Sequence, residues 1–412
     1  MDSQIWKTWQ EILSTSGDRD IVLYGRSEDW LPKTLKRIKD RVAYIVDKNP
    51  MYQGCEYDGI VIHDPEVLLR PKAQKEYVVI TSSIYDEIYS ILFKAGYIPG
   101  EDFCCCPEYK DYSSLSSLKS LSYRVVLSSS DYLDQSRARS SVLGGGIFLY
   151  DIASCEYEKK VEGIYRQIIQ FNSGYLAVEY TKGEVHVFDK KFLLLDIIKL
   201  SEPNFCGLSY SPRYDIFAVV NASSDTISII DFKSRRKIDQ IAYGNTFNRK
   251  NKKDMSSYHL NDCFISGDSL YVTMFSLSGR WKVGVFDGGL VEFNLQNLSL
   301  NPEVLAKDAW MPHSPAIIDD EICYLDSMRG NLMTCNQYVT AHFDFFARGL
   351  DGDGQYYLIG ASENMYFCRN KNVHDRGPTM VNAGFSLYDR TNNIQRFFPM
   401  MKSMNIHDLV ML

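Results

Sequence analysis

The chain has 412 residues, 45% of them hydrophobic, with 45 Lys and Arg against 52 Asp and Glu, giving a net charge of −7 and a pI near 5.6. Its length and apolar content suit two or three buried cores better than one. The acidic balance argues against a nucleic-acid partner, which needs a basic surface to neutralise phosphates. No apolar stretch approaches the ~20 residues of a membrane span.

Met1-Asp2-Ser3-Gln4 lacks the basic flank and apolar core of an export signal, so the sequence reads as cytoplasmic. The ten cysteines agree with that. Cys55, Cys155, Cys206, Cys263, Cys323, Cys335 and Cys368 are scattered singly, and no disulfide framework is evident. Cys104-Cys105-Cys106 is read as structural, because adjacent side chains diverge along an extended chain and a spaced Cys-x-x-Cys pair is absent.

From Asp20 to about Tyr112 strand and helix signals alternate, as a parallel sheet with crossover helices requires. Ile21-Val22-Leu23-Tyr24 ends at Gly25, a helical stretch runs through Thr34, Leu35 and Ile38, and Val42-Ala43-Tyr44-Ile45-Val46 ends at Asp47. Tyr77-Val78-Val79-Ile80 then leads into Thr81-Ser82-Ser83, hydroxyls suited to the start of a helix carrying Ile84, Ile88, Ile91 and Leu92. Asp47 follows Gly25 at about the 20-residue interval of a ribose-binding carboxylate. Gly25-Arg26-Ser27-Glu28-Asp29-Trp30 keeps only the first glycine of the dinucleotide fingerprint and adds two acids, so NAD is not expected.

This stretch, with Asp47-Lys48-Asn49, Gly54, Gly59-Ile60-Val61-Ile62 and Pro65-Glu66, resembles the small Rossmann-like domain at the N-terminus of bacterial nucleotide-sugar acyltransferases and other surface-polysaccharide enzymes. The resemblance implies a nucleotide-sugar pocket formed by Gly25, Asp47 and Ser82. An empty Rossmann-like domain kept for docking would carry the same three residues.

The serine-rich run at 113–122 reads as a linker between a domain at 1–112 and another at 123–412. Beyond it nearly everything is strand and turn. Units starting near Arg166, Cys206, Asn261, His313 and Arg348 repeat an inner strand, a middle strand, a turn and a strand closed by Asp, at periods of roughly 35 to 50 residues. Tyr123-Arg124-Val125-Val126-Leu127 and Gly146-Ile147-Phe148-Leu149-Tyr150-Asp151 lack an inner strand, and His407-Asp408-Leu409-Val410-Met411-Leu412 supplies one. The predicted architecture is a Rossmann-like α/β domain followed by a six-bladed β-propeller closed by the C-terminal strand.

His259 with Asn261-Asp262, Gly279-Arg280-Trp281, Gly288-Gly289, Pro312-His313-Ser314-Pro315, Leu325-Asp326-Ser327 with Gly330, Arg348-Gly349-Leu350 and Ile359-Gly360-Ala361-Ser362 resemble an uncharacterised bacterial propeller family of unknown function, over about 144–412. That resemblance supplies a fold and no activity.

Inner strands start at the axis of a propeller, so Arg166, Asn261, Asp262, His313, Arg348 and His407 or Asp408 are expected to meet there, with His259 at the rim. Three readings stand side by side. Asp, Asn and His around one divalent ion would resemble the metal-dependent propeller lactonases, and the ion would acidify water. Two arginines instead favour a carboxylate or phosphate. The same groups could also satisfy one another and buried water with no ligand. His313, Arg348, Asp262 and His407 are the catalytic candidates, and Arg166, His259, Asn261, Gly25, Asp47 and Ser82 the ligand-binding ones.

His63, His186, His342 and His374 have no motif partner and are read as surface or packing residues. The basic runs at Arg235-Arg236-Lys237 and Arg249-Lys250 to Lys252-Lys253 are read as solvated. The combined expectation is a protein of surface-glycan or nucleotide-sugar metabolism with a small anionic or sugar-nucleotide ligand. Its rivals are a scaffold that docks a protein partner and a metal-dependent hydrolase.

Overall fold

Short apolar runs set between Gly, Ser and Asp turns dictate strands, and the computed structural model forms them at nearly every such run. It describes residues 5–70, 74–109, 115, 118, 121–137, 139–172, 174–244, 257–299, 301–363 and 383–412. The run at Arg249 to Lys253, Cys368, His374 and most of the 113–122 stretch lie outside these. The chain divides into two compact units, Met1–Ser117 and Leu118–Leu412.

In the first unit, β1 (Ile21–Tyr24), β2 (Val42–Val46), β3 (Glu56–Tyr57), β4 (Ile60–His63), β5 (Tyr77–Ile80) and β6 (Phe103–Cys105) form one sheet in the order β3-β4-β2-β1-β5-β6. Every pairing is parallel except β3 on β4. All residues of β1 and β5 are buried, the pattern of strands covered on both faces. Ile12 of α1 (Trp9–Ser16), Leu31, Leu35 and Ile38 of α2 (Leu31–Ile38), Leu68 of α3 (Glu66–Leu69) and Ile88 and Leu92 of α4 (Tyr85–Lys94) complete that core. Cys104, Cys105 and Cys106 are fully buried in it.

Two local expectations need correction. α4 begins after Ile84 with no side-chain cap; the hydroxyl of Thr81 donates to Gly25 O at 2.6 Å instead. α1 was not anticipated, although Thr8 and Glu11 form a reciprocal capping box at its start.

The second unit is six four-stranded antiparallel sheets arranged as propeller blades. Their inner strands are Tyr165–Phe171, Phe205–Ser211, Leu260–Ser266, Pro312–Ile318, Phe346–Gly352 and Asp408–Met411, which we number blades 1 to 6. Blade 6 joins Asp408–Met411 to Arg124–Ser129, Gly146–Asp151 and Glu156–Glu162. Expectation missed only its outer strand Glu156–Glu162, whose polar sequence carries no alternating signal. Apolar clusters bridge successive blades all the way round, for example Phe205, Leu208 and Phe217 with Leu176 and Val178, and Val126 and Val410 with Tyr165 and Ile168.

Two features organise the axis. In blades 1 to 5 the inner strand slips register against its neighbour near its start, between Tyr165 and Ile168, Phe205 and Gly207, Leu260 and Cys263, His313 and Ala316, and Ala347 and Leu350. Such bulges re-aim side chains. Each inner strand also accepts a backbone N–H from the next one. The N–H donors and side-chain acceptors are Leu208 to Gln167 Oε1 at 2.6 Å, Ile265 to Ser209 Oγ at 2.8 Å, Ser314 to Asp262 Oδ2 at 2.9 Å, Gly349 to Ser314 Oγ at 2.8 Å, Met411 to Asp351 Oδ2 at 2.8 Å, and Ile168 to Asp408 Oδ2 at 3.0 Å. The six links close a circle. Gly349 sits in this circle at φ +77°, and a Cβ there would lie 2.9 Å from Asp408 Cα, so only glycine fits.

Candidate functional site at the propeller axis

The bulges carry Arg166, Asn261, Asp262, Ser314 and Arg348 to one level near the starts of the inner strands. All five are buried, as are His313 and His407. Arg348 Nη1 donates to His407 Nε2 at 3.0 Å and to Asn405 Oδ1 at 3.4 Å, and its guanidinium lies 4.9 Å from the Phe346 ring centroid. Arg166 stacks over Tyr180 at 4.0 Å. His313 Nδ1 donates to Met311 O at 2.8 Å and lies 2.7 Å from Ser327 Oγ. Its ring packs edge-on against Phe275 and Phe346, at 5.4 and 5.6 Å.

His259, expected at the rim, lies just ahead of the inner strand of blade 3. It takes a left-handed φ of +56° and lies between Phe275 and Trp281, at 4.2 and 4.5 Å between ring centroids.

The two arginines set the electrostatics. Burial, with Arg166 next in effect, pulls His259 down to about 3. Burial, followed by Arg348 for His313 and by Arg166 for His407, holds both rings well below the usual histidine range. The three histidines are therefore neutral at pH 7, and the positive charge of the site resides on guanidiniums. Burial raises Asp262 while Arg348 and Arg166 oppose the shift; burial and the nearby Asp262 raise Asp408 well above a normal carboxyl.

Asp262 and Asp408 each commit an oxygen to the circle of inter-blade hydrogen bonds. Among the described residues no three His, Cys, Asp or Glu side chains stand together as metal ligands. Below this level the axis holds a cavity of about 290 Å³, whose polar lining includes Gln167, Ser314, Asp351 and Asp408.

The axis thus brings together Arg166, His259, Asn261, Asp262, His313, Arg348 and His407. Sequence reasoning missed Asn405, which lies two residues ahead of His407 and accepts from the same Nη1 of Arg348. It also missed Arg139, whose charge bears on His259 and His407 from the turn between two strands of blade 6.

In the first unit Gly25, Asp47 and Ser82 lie at the ends of β1, β2 and β5. A Cβ on Gly25 would lie 2.5 Å from Ser82 Cβ, so the glycine, at φ +111°, is required by close packing. Asp47 accepts from Arg26 N at 2.6 Å and Asn49 N at 2.8 Å. Arg26 stacks 4.5 Å from the Tyr52 ring centroid.

No family model and no curated protein matches this chain. Solved structures resemble it in fold. In the nidogen/laminin complex a chain 8% identical aligns with a TM-score of 0.48, covering 71% of this chain and 98% of that one. A protein of unknown function from Bacteroides caccae is 10% identical with a TM-score of 0.47, over 71% and 99% of the two chains. The calcium-binding protein regucalcin from Agrobacterium tumefaciens is 11% identical with a TM-score of 0.39, over 56% and 72%. Among the described residues no helix is long and apolar enough to cross a membrane.

Proposed function

We propose that the propeller binds a small anion, a carboxylate or phosphate, at its axis, with Arg166 and Arg348 supplying the charge that holds it. The observation that carries this reading is Arg166. Among the described residues its Nε has no hydrogen-bond partner and its guanidinium forms no ion pair; it is 6% exposed, lies against the ring of Tyr180, and acts on the Asp262 carboxyl only beyond ion-pair distance. A guanidinium left this way inside a protein is costly, and an anion would satisfy it with charge-assisted hydrogen bonds. The neutral histidines nearby add no competing charge.

Isothermal titration of the full chain with acetate and inorganic phosphate at low ionic strength tests this. Binding by the native chain, weakened by about 1.5–3 kcal/mol in Arg166→Met, is expected. No anion binding at millimolar concentrations would reject the site.

A second reading concerns the first unit as a Rossmann-like domain holding a nucleotide sugar, in a cytoplasmic protein of surface-glycan metabolism. Two observations favour it. The parallel strands β4-β2-β1-β5-β6 follow the dinucleotide-fold order 3-2-1-4-5, and Gly25 and Ser82 stand beyond the ends of β1 and β5, the strands between which that order reverses. Among the described residues, nine free thiols, six of them buried, suit a reducing compartment. Thermal-shift measurements of the full chain with nucleotide sugars test it; failure of these and of the anions would leave a scaffold that docks a protein partner.

A further inference from the structure

We infer that the axial ligand is a hydroxylated anion, one that presents an alcohol O–H to His313 beside the charged group held by Arg166. This rests on the anion reading above and specifies its substrate class.

Met311 O can only accept, so His313 Nδ1 carries the ring hydrogen and Nε2 is a bare lone pair. His313 is 1% exposed, and Nε2 has no hydrogen-bond partner among the described residues. His407 differs, because its Nε2 lone pair already accepts from Arg348. Arg166 Nε and Asn261 Nδ2, donors at the same level, are also without partners among the described residues. The site therefore asks a ligand for acceptors on one part and a donor on another.

A simple carboxylate at neutral pH answers only the first demand and leaves His313 Nε2 buried and unmet, at a cost. A hydroxycarboxylate, or a phosphate ester of a polyol, answers both. The rings of Phe275 and Phe346 that hold His313 edge-on fix where the hydroxyl must sit.

The test uses matched pairs on the full chain at pH 8, where phosphate monoesters with a second pKa near 6 have lost their own acidic hydrogen. L-Lactate is compared with propanoate, and sn-glycerol 3-phosphate with propyl phosphate. The hydroxylated member of at least one pair is expected to bind about tenfold or more tighter than its partner, since a site built to pair a hydroxyl discriminates against its absence. The pair that discriminates identifies the anion as carboxylate or phosphate. In His313→Phe, which keeps a ring between Phe275 and Phe346, the preference should fall to about twofold or less.

Because His313→Phe also removes the contacts to Met311 and Ser327, the pairs measured on the native chain stand as evidence even if that variant misfolds. Equal binding within both pairs would overturn the hydroxyl requirement and leave the anion site intact. Binding of none of the four would reject the anion site and this inference together.

Discussion

Asp408 Oδ2 accepts the backbone N–H of Ile168 at 3.0 Å, fastening the last inner strand of the sequence to the first complete blade. The bond belongs to a circle in which every blade holds its neighbour by one side-chain acceptor. It gives Asp408 a structural duty that its place beside the candidate site would conceal.

Asp408→Ala should therefore destabilise the propeller by about 1–3 kcal/mol, the cost of leaving a buried N–H without an acceptor. Asp408→Asn keeps an oxygen in place and should retain most of the stability. Urea unfolding of both variants decides it, and equal damage from Asn and Ala would show that the inter-blade bond is not the cause. Deleting residues 406–412 removes the whole strand and should abolish the cooperative calorimetric transition of the propeller.

The two arginines should respond differently to replacement by methionine. Arg348→Met leaves His407 Nε2 and Asn405 Oδ1 without their donor, and a loss of about 1–3 kcal/mol is expected. Arg166→Met removes a buried cation that has no hydrogen bond at Nε among the described residues, and it loses the stacking on Tyr180 and a longer-range attraction to Asp262. Its stability should stay within about 1 kcal/mol of the native value. If Arg166→Met proved the more damaging, the charge would have a structural partner and the anion reading would lose its basis.

His259 makes stability depend on pH in a definite direction. The unfolded chain takes up a proton on this residue below about 6.5, whereas the folded ring stays neutral until about 3. Protons thus favour the unfolded state between those values, and the contribution present above pH 6.5 drains away as pH falls toward 3. His259→Asn tolerates the φ of +56° and should flatten the dependence by up to about 1.4 kcal/mol per pH unit. Unfolding free energies of both proteins at pH 7, 6, 5 and 4 measure it; an unchanged slope would mean that the folded ring titrates normally.

Much of the axis was legible because its residues precede strands that alternate apolar and polar. Arg348, His313 and Asn261-Asp262 interrupt that alternation at the same point of successive repeats, which is the mark of a shared level. Gln167, Ser209 and Asp351 were not legible as links, since each looks like an ordinary strand residue until the register of the neighbouring blade is known. Glu156–Glu162 escaped for another reason. Its burial follows no two-residue period, and it is held as a strand by pairing with Gly146–Asp151 rather than by an apolar face. In the first unit the strands were plain from β-branched runs, whereas the bond from Thr81 to Gly25 O joins residues far apart in sequence and could not be read there.

The closing segment also sets when a functional axis can exist. Asn405 and His407, the acceptors that orient Arg348, follow five blades in the sequence and immediately precede the strand that seals the sixth. A chain stopped short of them carries Arg348 with neither acceptor, so ring completion and site assembly are one event. An anion bound at the axis as proposed would favour the sealed ring and act as a latch, raising the energy needed to peel the final strand away.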